Sequence, residues 1–288
     1  MPKELRYNPL LKEWVIYSNN REARPLFPEK CPFCGLEKVP VALDNKYPSL
    51  AEDEPKVSAM GRKARGKCEV IIFSKDHNTK LASMPVEEIK RVVDLWKERY
   101  RVLSERYRTV FIFENRGREI GVTMDHPHGQ IYAMDFYPPM IKQEKNAYKE
   151  YLRERGRCIF CDIIEQERRE KNRILTENEG FIAFVPSFAR WSFETHIYSK
   201  KHVSNMLGID SYELADALKS VMARIEKLGG SYILCFHQLN KDFHFHAEIY
   251  PPYASVGRVK YRGGVETGTG TFINSLFPEE SAEILKGL

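Results

Sequence analysis

The chain has 288 residues, of which 42% are hydrophobic and 30% charged, so it can form one large domain or two of ordinary size. Its net charge of +5 is spread along the chain, which argues against a nucleic-acid surface but leaves room for a local phosphate pocket. No apolar run reaches the roughly 18 residues of a membrane span, and the first residues lack the apolar core of a secretory signal. We therefore expect a cytoplasmic protein with no membrane partner.

The first half is predicted to contain strands around one long helix. Strands are predicted at 68–74 and 109–114, where β-branched and aromatic residues are concentrated. Between them, a helix beginning near Pro85 carries apolar residues at helical spacing. A further strand contains the sequence HPHGQ at 126–130.

The second half repeats this order of elements. A charged, helical connector is predicted over 142–157. Strands at 193–198 and 231–236 flank a helix for which Asp210 is the predicted N-cap, and a last strand carries HFHAE at 244–248. Each half is thus an α+β unit, an antiparallel sheet with a long helix. We predict domains at 1–145 and 146–288.

Three landmarks recur in both halves in the same order: a CxxC pair, a lone histidine and an HxH pair. The second cysteine and the lone histidine are 43 positions apart in the first half and 41 in the second. Chance can produce one such match, but three in register indicate two copies of one unit.

Each half contains the ligand set of a closed, structural zinc site, with two thiolates and two imidazoles around one tetrahedral ion. The predicted ligands are Cys31, Cys34, His77 and His126 in the first half, and Cys158, Cys161, His202 and His244 in the second. The alternatives left open are turn cysteines or a redox pair.

The HPHGQ strand carries the candidate chemistry. His128 and Gln130 lie two apart on a strand and so face the same side. We place His126 at the start of the strand, where the neighbouring proline and glycine distort the backbone and let its ring turn towards the metal. His128 can attack phosphorus if its other ring nitrogen is bonded to an acceptor, for which a backbone carbonyl near His126 is the candidate. Gln130 can bind a phosphate oxygen and, being non-ionisable, favours transfer over hydrolysis.

These residues resemble a known family. The HPHGQ sequence is similar to the active-site motif of the galactose-1-phosphate uridylyltransferase family, in the histidine triad superfamily. The likeness continues at RYNPL (6–10), NREARP (20–25), FENRG (113–117) and GVT (121–123). The resemblance implies two tandem histidine-triad-like half-barrels, zinc as cofactor, and a homodimer. It also implies ping-pong exchange of UMP between UDP-glucose and galactose 1-phosphate, with His128 as the uridylylated nucleophile and Gln130 holding the phosphate.

Further roles follow from the resemblance alone. The implied substrate-binding residues are Arg21, Arg24, Asn115, Gly121 and Thr123 near the phosphates, Asp44 and Asn45 near the nucleoside, and Lys260 and Glu266 in a hexose-binding segment. The expected partners are therefore a nucleotide sugar and a sugar 1-phosphate.

The chain also departs from the family pattern. Met124 and Asp125 replace the usual Asn-Pro before the first histidine, and Val265 stands where an aromatic residue is expected. The second CxxC also occurs in relatives that handle adenylyl groups, so an adenylyl transferase or phosphorylase is the alternative enzyme. A zinc-stabilised nucleotide-binding protein without turnover is the alternative of another class.

A second type of metal site competes for the second half. Glu144 matches a second-metal glutamate of some family members and could join His246 and Glu248. His246 and Glu248 occupy the positions of His128 and Gln130 in the second copy. We prefer the cysteine set. His237 could lie near the second site, but we expect it to be a core histidine.

Overall fold

The computed structural model describes residues 3–19, 29–52, 58–59 and 61–288. The strands are β1 (Lys3–Asn8), β2 (Glu13–Ser18), β3 (Val41–Asp44), β4 (Gly61–Lys63), β5 (Gly66–Ile72), β6 (Thr109–Arg116), β7 (His128–Met134), β8 (Ile174–Glu177), β9 (Phe181–Phe184), β10 (Thr195–Ser199), β11 (Tyr232–His237), β12 (His246–Tyr250), β13 (Tyr253–Ser255) and β14 (Arg258–Val259). The helices are α1 (Val86–Ser104), α2 (Pro139–Arg155), α3 (Ile159–Glu170), α4 (Ser211–Leu228), α5 (Gly264–Thr269) and α6 (Pro278–Gly287). Among the described residues, none of these helices combines the length and apolarity that a bilayer crossing requires.

One antiparallel sheet runs through both halves of the molecule. Its nine strands follow the order β3-β5-β7-β6-β11-β12-β10-β9-β8. The halves meet where β6 pairs with β11, with Phe113 opposite Cys235 and Asn115 opposite Ile233. The predicted α+β class, with an antiparallel sheet and a long helix in each half, is confirmed. The pairing that merges the two sheets into one is an addition that the sequence did not reveal.

The long helices α1 and α4 cover one face of this sheet. Trp96 of α1 and Leu218 of α4 are buried in the main apolar core with Ile112 and Leu234 of the two central strands. The carboxylate of Asp210 accepts hydrogen bonds from the first backbone N–H groups of α4, as predicted for its N-cap. Apolar burial at helical spacing thus fixes both helices against the sheet.

The opposite face of the sheet is covered at its two ends. A small sheet, β2-β1-β4, packs Leu5 against Cys68 and Met134 at the first-half end. Helices α2 and α3 pack Tyr148 and Phe160 against the outer strands of the second half. Helix α2 includes the predicted domain boundary at 145/146 and agrees with the predicted helical connector. The face between these two covers holds the candidate site.

Candidate functional site

Strand β7 presents His128 and Gln130 on the partly open face of the sheet. Both side chains are half-buried, whereas Gly129 and Ile131 face the helices and are buried. A Cβ on Gly129 would lie only 3.0 Å from the Phe73 ring, so glycine allows the strand to approach the core. The close fit on the helix side therefore holds the outward-facing side chains in place.

Two hydrogen bonds set the ring orientations at the start of this strand. The Nδ1–H of His128 donates to the carbonyl oxygen of His126 at 2.7 Å, so Nε2 of His128 carries the lone pair. The Nε2–H of His126 donates to the carbonyl oxygen of Ser74 at 2.9 Å, which turns Nδ1 of His126 towards the cysteines. The carbonyl acceptor expected for His128 is thus present.

The four predicted ligands of the first half converge. Their ligand atoms, on Cys31, Cys34, His77 and His126, all lie within 4.8 Å of one another. The Cys34 Sγ is 3.3 Å from Nδ1 of His77 and 3.7 Å from Nδ1 of His126. Tetrahedral zinc, with bonds of about 2.3 Å to sulfur and about 2.0 Å to nitrogen, separates such atoms by about 3.5 Å. Burial lowers the pKa of His126, which favours the neutral, metal-binding imidazole.

The second half repeats this geometry. Cys158, Cys161, His202 and His244 form a second group within the same distance limit. The Cys161 Sγ lies 3.6 Å from Nδ1 of His202 and 3.7 Å from Nδ1 of His244. The Nε2–H of His244 donates to the carbonyl oxygen of Ser199 at 2.7 Å, as His126 does to Ser74. Both cysteine–histidine groups therefore fit a tetrahedral metal ion.

A third group of metal-binding side chains lies beside the second. It consists of Glu144, His237, His246 and Glu248. The expected competition between the two second-half sets does not arise, because they share no residue: one uses His244 and the other His246. His237 is buried, as expected, and it also belongs to this group, since its Nδ1–H donates to Glu144 at 2.9 Å. Although burial alone would lower the pKa of His237, the carboxylates of Glu144 and Glu248 raise it to about 9.

Strand register explains why His237 was not assigned to this third group. His237 of β11 lies opposite His246 of β12, and Cys235 lies opposite Glu248. The motif around His246 is visible in the sequence, but its cross-strand neighbour depends on a pairing that only the fold defines. The one available signal was the position of His237, directly after the predicted strand 231–236.

The loop between β6 and β7 positions several predicted phosphate contacts. Gly121 adopts a left-handed conformation, with φ of 80°, that favours glycine. The guanidinium of Arg116 donates to the carbonyl oxygen of Asp125 at 2.8 Å and so holds the backbone just before His126. Thr123 lies in the same loop, and Asn115 lies on β6, which pairs with β7.

The predicted nucleoside contacts lie at the end of β3. The backbone N–H of Asn45 donates to the carbonyl oxygen of Cys68 at 3.0 Å, and its side chain accepts from the N–H of Tyr47. The carboxylate of Asp44 is 3.1 Å from Nζ of Lys67. Predicted residues Arg21 and Arg24 lie outside the described residues.

Lys260 and Glu266, the predicted hexose contacts, interact with each other and with neighbouring residues of the C-terminal segment. Nζ of Lys260 is 3.5 Å from the carboxylate of Glu266. Glu266 also accepts hydrogen bonds from the N–H groups of Gly263 at 3.1 Å and Ile273 at 3.4 Å. These contacts hold the Glu266 carboxylate in place within its own segment. None of them involves β7.

An open cavity lies on the same face of the sheet as His128. It has a volume of about 630 Å³ and is lined mainly by aromatic and apolar side chains, with two arginines at its margin. Its lining includes Phe113 and Tyr132, the neighbours of Gln130, and Arg190 and Arg262. This face of the sheet therefore carries His128, an apolar cavity and two arginines.

Two protein-family models match the chain. The model described as galactose-1-phosphate uridyl transferase, N-terminal domain, covers residues 36–138, and that of its C-terminal domain covers residues 144–261. The chain belongs to the galactose-1-phosphate uridylyltransferase family. Together with the HPHGQ strand, this membership makes the protein a transferase.

Individual members of the galactose-1-phosphate uridylyltransferase family align along the whole chain. The enzyme of that name from Thermotoga maritima is 41% identical, with 98% of each chain covered. The Haemophilus influenzae enzyme is 32% identical over 98% of this chain and 93% of its own.

Solved structures agree with this assignment. A uridylyltransferase structure superimposes with a TM-score of 0.90 at 31% identity, covering 99% of this chain and 97% of the other. An ADP-glucose phosphorylase from Arabidopsis thaliana with bound ADP-glucose gives a TM-score of 0.76 at 25% identity, with 99% of both chains covered.

Proposed function

We propose that the protein exchanges UMP between UDP-glucose and galactose 1-phosphate through a uridylyl group carried on His128. The observation that carries this proposal is the 2.7 Å hydrogen bond from Nδ1–H of His128 to the His126 carbonyl, which leaves the lone pair on Nε2 for attack. The names of the relatives support the choice of substrates.

In the first half-reaction, Nε2 of His128 attacks the α-phosphorus of UDP-glucose. A P–N bond forms, the P–O bond to glucose 1-phosphate breaks, and that product leaves with the electron pair. A phosphate leaving group is a weak base, with a pKa of about 6, so no general acid is required. The His126 carbonyl stabilises the positive charge that develops on the ring, and the Gln130 amide donates to a non-bridging phosphate oxygen.

In the second half-reaction, a phosphate oxygen of galactose 1-phosphate attacks the same phosphorus. The P–N bond breaks and its electron pair returns to Nε2, so UDP-galactose forms and His128 is again neutral. Dividing the exchange into two displacements lets one site serve both sugar phosphates in turn.

The remaining assignments belong to the same proposal. The proposed substrate contacts are Arg21, Arg24, Asn115, Gly121 and Thr123 for the phosphates, Asp44 and Asn45 for the nucleoside, and Lys260 and Glu266 for the hexose. The proposed domains are 1–145 and 146–288, and the proposed assembly is a homodimer.

We assign zinc to the two cysteine–histidine groups, where it would hold each CxxC loop against an HxH strand. The donor set of two thiolates and two imidazoles supports this choice of metal. Thiolate ligands need a reducing compartment, which supports a cytoplasmic location.

The test is an exchange assay combined with intact-protein mass. Purified protein is incubated with UDP-, ADP- or GDP-glucose, alone and with galactose 1-phosphate. We expect a uridylyl adduct and UDP-galactose with the wild type, and neither with His128→Gly. An adduct that persists in His128→Gly, or its absence from the wild type, contradicts the proposal.

Adenylyl transfer is the second candidate. It is favoured by the similarity to the ADP-glucose phosphorylase structure over 99% of both chains. The same assay decides, because uridylyl and adenylyl adducts differ in mass.

A further inference from the structure

Phe33 lies between the two cysteines of the first CxxC loop, and its ring is close to His128, the first residue of β7, and to His126 just before that strand. Its ring centroid is 5.7 Å from that of His126, in an edge-to-face arrangement, and 5.8 Å from that of His128. The backbone N–H of Phe33 donates to Sγ of Cys31 at 3.4 Å, which holds the backbone that carries the ring within the metal loop. One side chain thus bridges the first metal group and the nucleophile.

The second half contains the same arrangement. Phe160, between Cys158 and Cys161, has its ring centroid 5.5 Å from that of His244 and 4.8 Å from that of His246. The contact is therefore built by the Cys-x-Phe-Cys sequence in both copies. The environments differ, because Phe160 is buried in the apolar cluster under α2 and α3, whereas Phe33 is half-buried.

A hydrogen bond at Nδ1 alone does not stop an imidazole from tilting about that bond. The bond from Nδ1 of His128 to the His126 carbonyl fixes one edge of the imidazole, and contact with an aromatic neighbour restricts rotation of its plane. In-line attack on phosphorus requires the Nε2 lone pair to point at the phosphorus, and a displacement of about 1 Å can cost about 100-fold in rate.

We propose that Phe33 is a positioning residue that holds the His128 ring in its attacking orientation and transmits the order of the metal loop to the nucleophile. The inference rests on the proposed function, since it assumes that His128 becomes nucleotidylated. It concerns the rate of that step rather than the affinity for the nucleotide sugar.

The experiment measures the single-turnover rate of adduct formation by rapid quench and intact mass with UDP-glucose. Phe33→Ala should slow adduct formation about 30-fold, with KM for UDP-glucose within about threefold and the metal content unchanged. Phe33→Tyr, which retains the ring, should restore the rate to within about threefold of the wild type. If Phe33→Ala loses the metal, the same rate is measured on Phe33→Leu that retains its full metal content.

Phe160→Leu is the matched control. It should lower the melting temperature, because Phe160 is a core side chain, while adduct formation slows less than about twofold. Adduct formation at the wild-type rate in Phe33→Ala, or a rise in KM alone, overturns the inference. So does a rate loss shared equally by Phe160→Leu. Absence of the adduct from the wild type overturns the proposed function itself.

Discussion

The two HxH strands share one geometry and differ in what surrounds the second histidine. In each half this histidine donates from Nδ1 to the carbonyl of the first, at 2.7 Å for His128 and 2.9 Å for His246. Gln130, a neutral amide, follows His128, whereas the carboxylates of Glu248 and Glu144 lie 3.6 and 3.9 Å from Nε2 of His246. A neutral partner leaves the imidazole of His128 suited to an electrophilic phosphorus, whereas the acidic partners of His246 give that position the side chains of a possible metal site.

The largest expected loss of activity comes from giving the first half the glutamate that the second half has at the position of Gln130. Gln130→Glu places a negative charge beside the phosphate, and we expect the exchange rate to fall about 10³-fold, the upper end of the loss seen when an oxyanion donor is removed. The measurement is kcat for exchange, with adduct formation followed separately.

The matched change in the second half is Glu248→Gln. It should leave the metal of the two cysteine–histidine groups in place, measured by plasma mass spectrometry, and slow exchange far less than Gln130→Glu. A similar loss of activity in both variants would show that the two histidine sites are not functionally distinct.

Removing a thiolate from either metal loop should give a smaller effect. Cys34→Ser and Cys161→Ser should each lose one metal equivalent, because serine is a poor zinc ligand. We expect exchange to slow about 10- to 100-fold only in Cys34→Ser, since the first group supports the strand that carries His128. Equal slowing in both variants would contradict a specific link between the first metal group and the nucleophile.

The smallest expected effect is on the pH dependence of stability and comes from the boundary between the halves. There the hydroxyl of Tyr232 on β11 donates to the buried carboxyl of Glu114 on β6 at 3.0 Å. Burial raises the pKa of Glu114 from 4.5 to about 7. The folded state therefore binds a proton that the unfolded state has released, and stability is lost as the pH rises through this range. Between pH 5.5 and 7.5 this should cost roughly 2 kcal/mol of unfolding free energy.

Glu114→Gln removes this titration and should flatten the pH dependence, as measured by urea unfolding at the two pH values. An unchanged slope in the variant would mean that Glu114 ionises normally in the folded protein.

Local motifs allowed much of this structure to be predicted. The helices around Trp96 and Leu218 follow from apolar spacing, and the two cysteine–histidine groups follow from CxxC and HxH sequences whose geometry is set within a few residues. A backbone carbonyl near His126 was expected to accept from His128, and the carbonyl of His126 itself fills that position.

Features that depend on long-range pairing were not predicted. The sequence does not show that Phe113 and Cys235 are paired on neighbouring strands, so the single sheet was not predicted. Helix α3 was missed because its first residues, from Ile159, overlap the second CxxC, which was interpreted only as a metal loop. The place of His237 in the third group could not be predicted, because it depends on the register that sets His237 of β11 opposite His246 of β12.

The pairing of β6 with β11 gives the molecule the character of a dimer enclosed in one polypeptide. Each of these strands would be an exposed edge in an isolated half, with open N–H and C=O groups that invite association. A cut in the exposed part of α2 would therefore be expected to yield two fragments that recombine. Because β6 and β11 lie side by side in one sheet, β7 and β12 keep a fixed spacing although the residues around their second histidines differ.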